Sequence, residues 1–204
     1  MRDLDRALTD INLIREQLAQ STEFQGYAPA TLATTGLFAL LVAAAQSFWL
    51  PESATNMRLF IPVWVATAAV CVLVTAVETI SRSRREHGGF ATAMLQSALE
   101  QFLPALVAGG LLTVALLEIA PESLWMVPGL WHIVFSLGVF ASRRFLPRAI
   151  FWVGVWYLGC GLACLALAAP THGNSPWSMG IPYGIGHLLV AGILQQRRQL
   201  EAAR

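Results

Sequence analysis

The chain has 204 residues, of which 56% are hydrophobic and only 12% charged, with a formal net charge of +1. An average soluble domain carries about 25% charged residues, so this composition excludes an ordinary soluble domain and points to the bilayer. The near-neutral balance also excludes a nucleic-acid binder, which needs a surplus of positive charge to displace counterions from phosphate.

The first segment, MRDLDRALTDINLIREQLAQSTEF, places Leu4, Ala7, Ile11, Ile14 and Leu18 at heptad spacing, with Leu8 and Leu13 broadening the stripe. This pattern predicts an amphipathic helix within residues 1–26. Its acids Asp3, Asp5, Asp10, Glu16 and Glu23 outnumber Arg2, Arg6 and Arg15. A helix that lies on anionic lipid normally has a basic polar face, so this one is expected to dock on protein through Leu4, Ile11, Ile14 and Leu18. Two surfaces qualify: the chain's own arginine-rich loops, or another chain, as a homo-oligomer or a protein partner. The stripe is too short for a coiled-coil assignment, which takes about three or four heptads.

Six apolar stretches follow, near Pro29–Leu50, Arg58–Ile80, Ala91–Ala120, Ser123–Ser142, Arg148–Ala169 and Trp177–Gln195. Each approaches or exceeds the roughly 20 helical residues that cross a hydrocarbon core. None alternates polar and apolar residues as a membrane β-barrel would, so the backbone must satisfy itself inside α-helices. The expected fold is all-α: a polytopic membrane protein with an amphipathic helix over 1–26, a six-helix bundle over 27–196 and a tail over 197–204.

Arginine sets the expected orientation, because the chain has no lysine. Arg2, Arg6 and Arg15 precede the first span, and Arg82, Arg84 and Arg85 follow the second. Arg143, Arg144 and Arg148 lie between the fourth and fifth, and Arg197, Arg198 and Arg204 end the chain, which leaves Arg58 alone on the opposite side. The positive-inside rule then places both termini in the cytoplasm. The connections PESATN, EIAPES and PTHGNSP, neutral or acidic, fall outside. The charged start and the long first apolar run predict retention of that span rather than a cleaved signal peptide.

Two stretches echo one another: PGLWHIVFSLGVFASRR and PYGIGHLLVAGILQQRR. Each opens on proline, carries a histidine and then a glycine, and closes on paired arginine; Pro128 precedes Arg143 by fifteen residues, as Pro182 precedes Arg197. The second span shares the early Pro62 and the closing Arg84 and Arg85 but lacks the histidine. Three repeated hairpins would produce this echo, and so would convergence on a proline and an arginine pair. At 1.5 Å per residue, His132 and His187 both lie roughly 15 Å from the arginine interface, near the bilayer midplane. Tyr183 is the expected partner of His187 and Ser136 that of His132, each one turn away. Beside Gly184 and Gly186, His187 is expected to face the interior and to matter more than His132.

Three readings compete for these residues. A structural pair of neutral histidines is the first. A haem b ligated by His187 and His132, with Gly129, Gly184 and Gly186 admitting the ring, is the second; a bare metal would want a third or fourth ligand at the same depth. The third is a proton path through Glu100, the histidines and Glu118. Glu100 sits on the cytoplasmic part of its helix, whose midpoint is nearer Gly109 and Gly110, and Glu78, Glu100 and Glu118 all lie toward helix ends.

Cys71, Cys160 and Cys164 fall inside spans. The i,i+4 pair in CGLAC offers two thiols on one face, but a thiol in lipid resists ionising and packs as a small apolar group. There is no P-loop, dinucleotide glycine pattern, zinc-protease HExxH or nucleophile elbow, which points away from an ordinary enzyme.

LIREQLAQSTEF before the first span, PGLW opening the fourth and GIGHLLVAGILQQRR closing the sixth resemble a group of bacterial inner-membrane proteins of similar length that has no assigned activity. Pro128, Gly129, Trp131 and Gly186 match that group's pattern. The resemblance implies six spans and an inner-membrane location, and no mechanism. The expected function is a non-enzymatic membrane scaffold or sensor, oligomeric through a second copy or a partner bound at the N-terminal helix; a haem or metal protein is the alternative and a small proton-coupled transporter the third.

Overall fold

Hydropathy and helix assignment coincide along most of the chain. The computed structural model describes residues 29–85, 89–142 and 147–203, with backbone alone at 79–80, 82–85, 89–101 and 201–202. Leu4, Ile11, Ile14 and Leu18 therefore lie outside the described residues. The helices are α1 (Pro29–Trp49), α2 (Met57–Arg85), α3 (Gly89–Ile119), α4 (Val127–Ser142), α5 (Ile150–Ala168) and α6 (Trp177–Ala202), and the described residues contain no strand. Each carries, alone or with the short turn before it, a stretch long and apolar enough to cross a membrane.

Three boundaries differ from the expectation, one of them the end of α2, which runs to Arg85 and not to Ile80. The fourth span begins with a 3₁₀ turn over Pro121–Met126 before α4, because proline's missing N–H and fixed φ suit the first turn of a helix. A second such turn, Pro51–Ala54, joins α1 to α2. α6 continues to Ala202, past the apolar limit at Gln195. Gln, Arg, Leu and Glu are good helix formers, so the helix outlasts the hydropathy that marks the bilayer.

Consecutive helices run antiparallel, which puts Pro29 and Ala202 at one end, here the near end, and the connections 50–56, 120–126 and 169–176 at the far end. Around the bundle α2 touches α1, α1 packs on α6, α6 on α5, α5 on α4 and α4 on α3, with only light contact between α3 and α2 closing the ring. The two most intimate pairs are α1 with α6 and α4 with α5. Neither is one of the three sequential hairpins that the sequence echo suggested.

Small residues explain both pairs. A Cβ on Gly129 would stand 2.9 Å from the Gly161 carbonyl oxygen, and one on Gly161 would stand 2.8 Å from that of Gly129. On the other side, a Cβ on Gly36 would meet the Gly184 carbonyl and the His187 Cβ, each at 3.0 Å, and Gly180 backs onto Ala43. Lipid-soluble helices gain little from hiding apolar surface from lipid, so close backbone approach and dispersion hold them together. α2 shows the contrast. Phe60, Ile61 and Trp64 are buried in the far-end core, whereas Val70, Val72, Leu73, Val74 and Val77 are exposed along the near half.

The far end is tied by one buried residue of the α5–α6 connection. Asn174 donates its backbone N–H to the Ala54 carbonyl at 2.9 Å and Nδ2–H to that of Trp125 at 2.7 Å. Its Oδ1 accepts from the Cys164 thiol at 3.1 Å. Beside it, His172 stacks on Trp125 with ring centroids 5.2 Å apart and adopts a φ of 51°.

Candidate functional site

His132 and His187 belong to one cluster of rings at mid-span. Its members come from α4 (His132, Phe135), α5 (Tyr157) and α6 (Tyr183, His187). Tyr183 is the hub: its ring centroid lies 5.0 Å from His132, 5.4 Å from Tyr157 and 6.1 Å from His187. Phe135 closes the group 4.6 Å from Tyr157 and 5.4 Å from Tyr183, in the tilted and edge-on geometries that aromatic quadrupoles prefer.

The glycines decide which helix surfaces meet here. Gly186 lets the Tyr157 phenol lie across the α6 backbone, where any Cβ would collide with it. Gly161 makes room in the same way for the root of His132, since a Cβ at that glycine would stand 3.1 Å from the Cβ of the histidine. Two indoles brace the flanks: Trp131 Nε1–H donates to Thr113 Oγ1 on α3 at 2.8 Å, and Trp156 Nε1–H to the Pro182 carbonyl on α6 at 3.1 Å.

Both expected histidine partners are corrected. His132 donates Nδ1–H to the Pro128 carbonyl at 2.7 Å, while Ser136, fully enclosed nearby, gives its hydroxyl proton to the Ile133 carbonyl at 2.7 Å. A hydroxyl one turn away has a backbone oxygen of its own in reach and takes it. His187 bonds across helices: its Nδ1 lies 3.3 Å from Thr35 Oγ1 on α1, and Tyr183 meets it only ring to ring. Because Thr35 donates its proton to the Leu32 carbonyl, the imidazole is the donor in that contact. In both neutral rings Nε2 is then the acceptor nitrogen.

The two histidines also differ in burial. His132 is 0% exposed, whereas His187 is only partly buried. Two buried polar atoms of the cluster, His132 Nε2 and Tyr157 Oη, have no hydrogen-bond partner among the described residues.

The carboxylates stand apart. Glu118 is exposed at the far end of α3. The Glu100 side chain lies outside the described residues. Among the described residues no three His, Cys, Asp or Glu side chains group as a metal set. Cys164 is buried as the donor to Asn174, and Cys71 and Cys160 are partly buried, free thiols. Sequence reasoning missed Thr35 and Tyr157. The chain has three tyrosines, and a phenol in the middle of an apolar span was the available signal for Tyr157; nothing local to Thr35 marks a partner 152 residues away.

No family model, curated protein or solved structure matches the chain.

Proposed function

We propose that the chain is a non-enzymatic integral membrane module, a scaffold or sensor of a bacterial inner membrane with both termini in the cytoplasm, whose structural keystone is the His132–Tyr157–Tyr183–His187 cluster. One observation carries this reading. The ionisable rings at mid-span are gathered into a mutually packed set, and the two imidazoles spend Nδ1 on the Pro128 carbonyl and on the Thr35 hydroxyl. General acid–base or nucleophilic chemistry needs a paired base, a nucleophile in its reach and a place for the reacting atom; this set provides stacking and fixed hydrogen bonds instead.

A bis-histidine haem b fits less well, since Tyr183 packs against both imidazoles and would have to leave before one iron could reach the two Nε2 atoms. A proton path draws no support from Glu118, which faces outward.

The test is a double-mutant cycle on stability in detergent or nanodiscs. His132→Leu, at the enclosed position, is expected to cost more than His187→Leu, and the pair should couple by about 0.5–3 kcal/mol because both rings rest on Tyr183. Small, additive effects would remove the keystone role. A Soret band in the gently extracted protein would overturn the reading in favour of haem.

A further inference from the structure

The outer face of α5, turned away from the rings at mid-span, carries a line of residues that the bundle does not bury. Arg148, Trp152, Val155, Gly159 and Leu162 are all exposed, and their alternating spacings of four and three residues put them on one helical face. The line is continuous at its near end. The N–H groups of Ile150, Phe151 and Trp152 bond back to the carbonyls of Pro147, Arg148 and Ala149, so the chain is already coiled at Arg148. Arg148 therefore sits one turn before Trp152, about 6 Å along the axis.

Aromatic packing steadies the near end of this line. Phe151 stands edge-on to Trp152 with ring centroids 5.6 Å apart, and lies 5.5 Å from Phe140 of α4. The Phe140 ring in turn lies over Gly154, where any Cβ would collide with it. Trp152 is thus braced on one side and still 69% exposed. Further along, nothing stands within 4 Å of a Cβ built on Gly159, which leaves a dent between the exposed Val155 and Leu162 side chains.

We propose that this face binds an anionic phospholipid of the near-end leaflet, its phosphodiester on Arg148 and the Trp152 indole N–H, and an acyl chain along Val155, Gly159 and Leu162. The order of residues matches the order of groups in such a lipid: donors first, at the edge of the span, then an apolar line into it. A guanidinium offers phosphate a fixed fork of N–H donors, and an indole adds one more at the interfacial depth that tryptophan prefers. Charge selects the anionic class. The far end also exposes aromatic residues, Phe48, Trp49 and Trp177, but its described charged side chains are Glu52, Glu118 and Glu122 against Arg58 alone. At the near end Arg148, Arg197 and Arg198 stand against Glu78. Aromatic anchoring is common to both ends, and the surplus of cations belongs to the near one. A soluble phosphate would leave the apolar line uncovered.

This surface shares no residue with the midplane cluster, so the two readings stand or fall separately. The full chain is reconstituted in phosphatidylcholine vesicles that contain, at equal mole fraction, either phosphatidylglycerol or phosphatidylcholine with brominated chains, which quench a neighbouring indole. The Trp152 signal is the difference between wild type and Trp152→Phe. Brominated phosphatidylglycerol is expected to quench it as a lipid enriched at least about fivefold over brominated phosphatidylcholine, the factor that one arginine near a membrane surface supplies. Arg148→Gln should lower that enrichment by about the same factor, and Arg58→Gln at the far end should leave it unchanged. Excess soluble glycerol phosphate should also leave it unchanged; its loss would show that the arginine takes free phosphate, and would overturn the proposal. Should Arg148→Gln fail to fold, raised salt on the wild type serves in its place, with the enrichment expected to fall as the charges are screened. Equal quenching by the two brominated lipids, or an enrichment that neither Arg148→Gln nor salt reduces, would also overturn it.

Discussion

Tyr157 presents a phenol that is 1% exposed, laid across Gly186, with an Oη that has no partner among the described residues. The ring is held by contact with Phe135, Tyr183 and His132, and the hydroxyl contributes nothing to those contacts. Removing a buried hydroxyl that bonds to nothing relieves a desolvation penalty, so Tyr157→Phe is expected to raise stability, by about 1 kcal/mol. Thermal unfolding in nanodiscs reads it, and a fall in melting temperature would mean that Oη has a partner in the bilayer. The opposite sign holds where a polar atom is used, as at Trp131 and Trp156, whose indole N–H groups tie α4 to α3 and α5 to α6. Of this residue-level picture, the depth and kinship of His132 and His187 were legible in the spacing to their arginine pairs. Their partners were not. Local spacing favoured Tyr183 and Ser136, but Thr35 arrives from the other end of the chain, and the Pro128 carbonyl, an acceptor present at every residue, leaves no mark in a sequence.

At the scale of elements, spans were legible because a bilayer demands length and apolarity, and those are readable one residue at a time. Which helix lies beside which was not. Helices that are apolar all round carry little periodic signal of the inward face, and the contacts that bring α1 to α6 and α4 to α5 are made by glycines and alanines whose importance lies in what is missing. Glycine substitutions separate the positions that matter from those that do not. At Gly129 a Cβ would fall 2.6 Å from Leu165 Cγ and 2.9 Å from a backbone oxygen of α5, whereas at Gly159 and Gly192 nothing stands within 4 Å. Gly129→Ala is therefore expected to force α4 and α5 apart and cost about 1–3 kcal/mol. Gly159→Ala and Gly192→Ala should each gain about 0.5–1 kcal/mol from the lower entropy cost of fixing alanine in a helix. Chemical denaturation of the three single variants in mixed micelles checks the contrast, and equal effects at Gly129 and Gly159 would show that the α4–α5 crossing has room to spare.

At the scale of the whole molecule, charge and apolar area govern how the bundle sits in its membrane and what it meets there. The expected N-terminal helix must bury Leu4, Ile11, Ile14 and Leu18 somewhere, at about 25 cal/mol per Å² of apolar area, and its excess of acids disfavours anionic headgroups. Ile11→Asp with Ile14→Asp should free that helix, seen as new protease cleavage within the first residues or as loss of an oligomer on sizing; no change in either would remove the docking idea. Orientation rests on charge. Among described residues, Arg148, Arg197 and Arg198 belong to the near end, as does the helix backbone at Arg82, Arg84 and Arg85, and Arg58 belongs to the far end. Moving a near-end arginine to the outer surface means carrying its charge through a hydrocarbon core, a barrier the insertion machinery resolves by keeping arginine-rich connections inside. Reporter fusions active only in the cytoplasm should then work after Arg85, Arg144 and Arg204, and fail within the 169–176 connection. The same arrangement would present the connection held by Asn174 to the outside. An outward C-terminus would invert the bundle and put that connection in the cytoplasm.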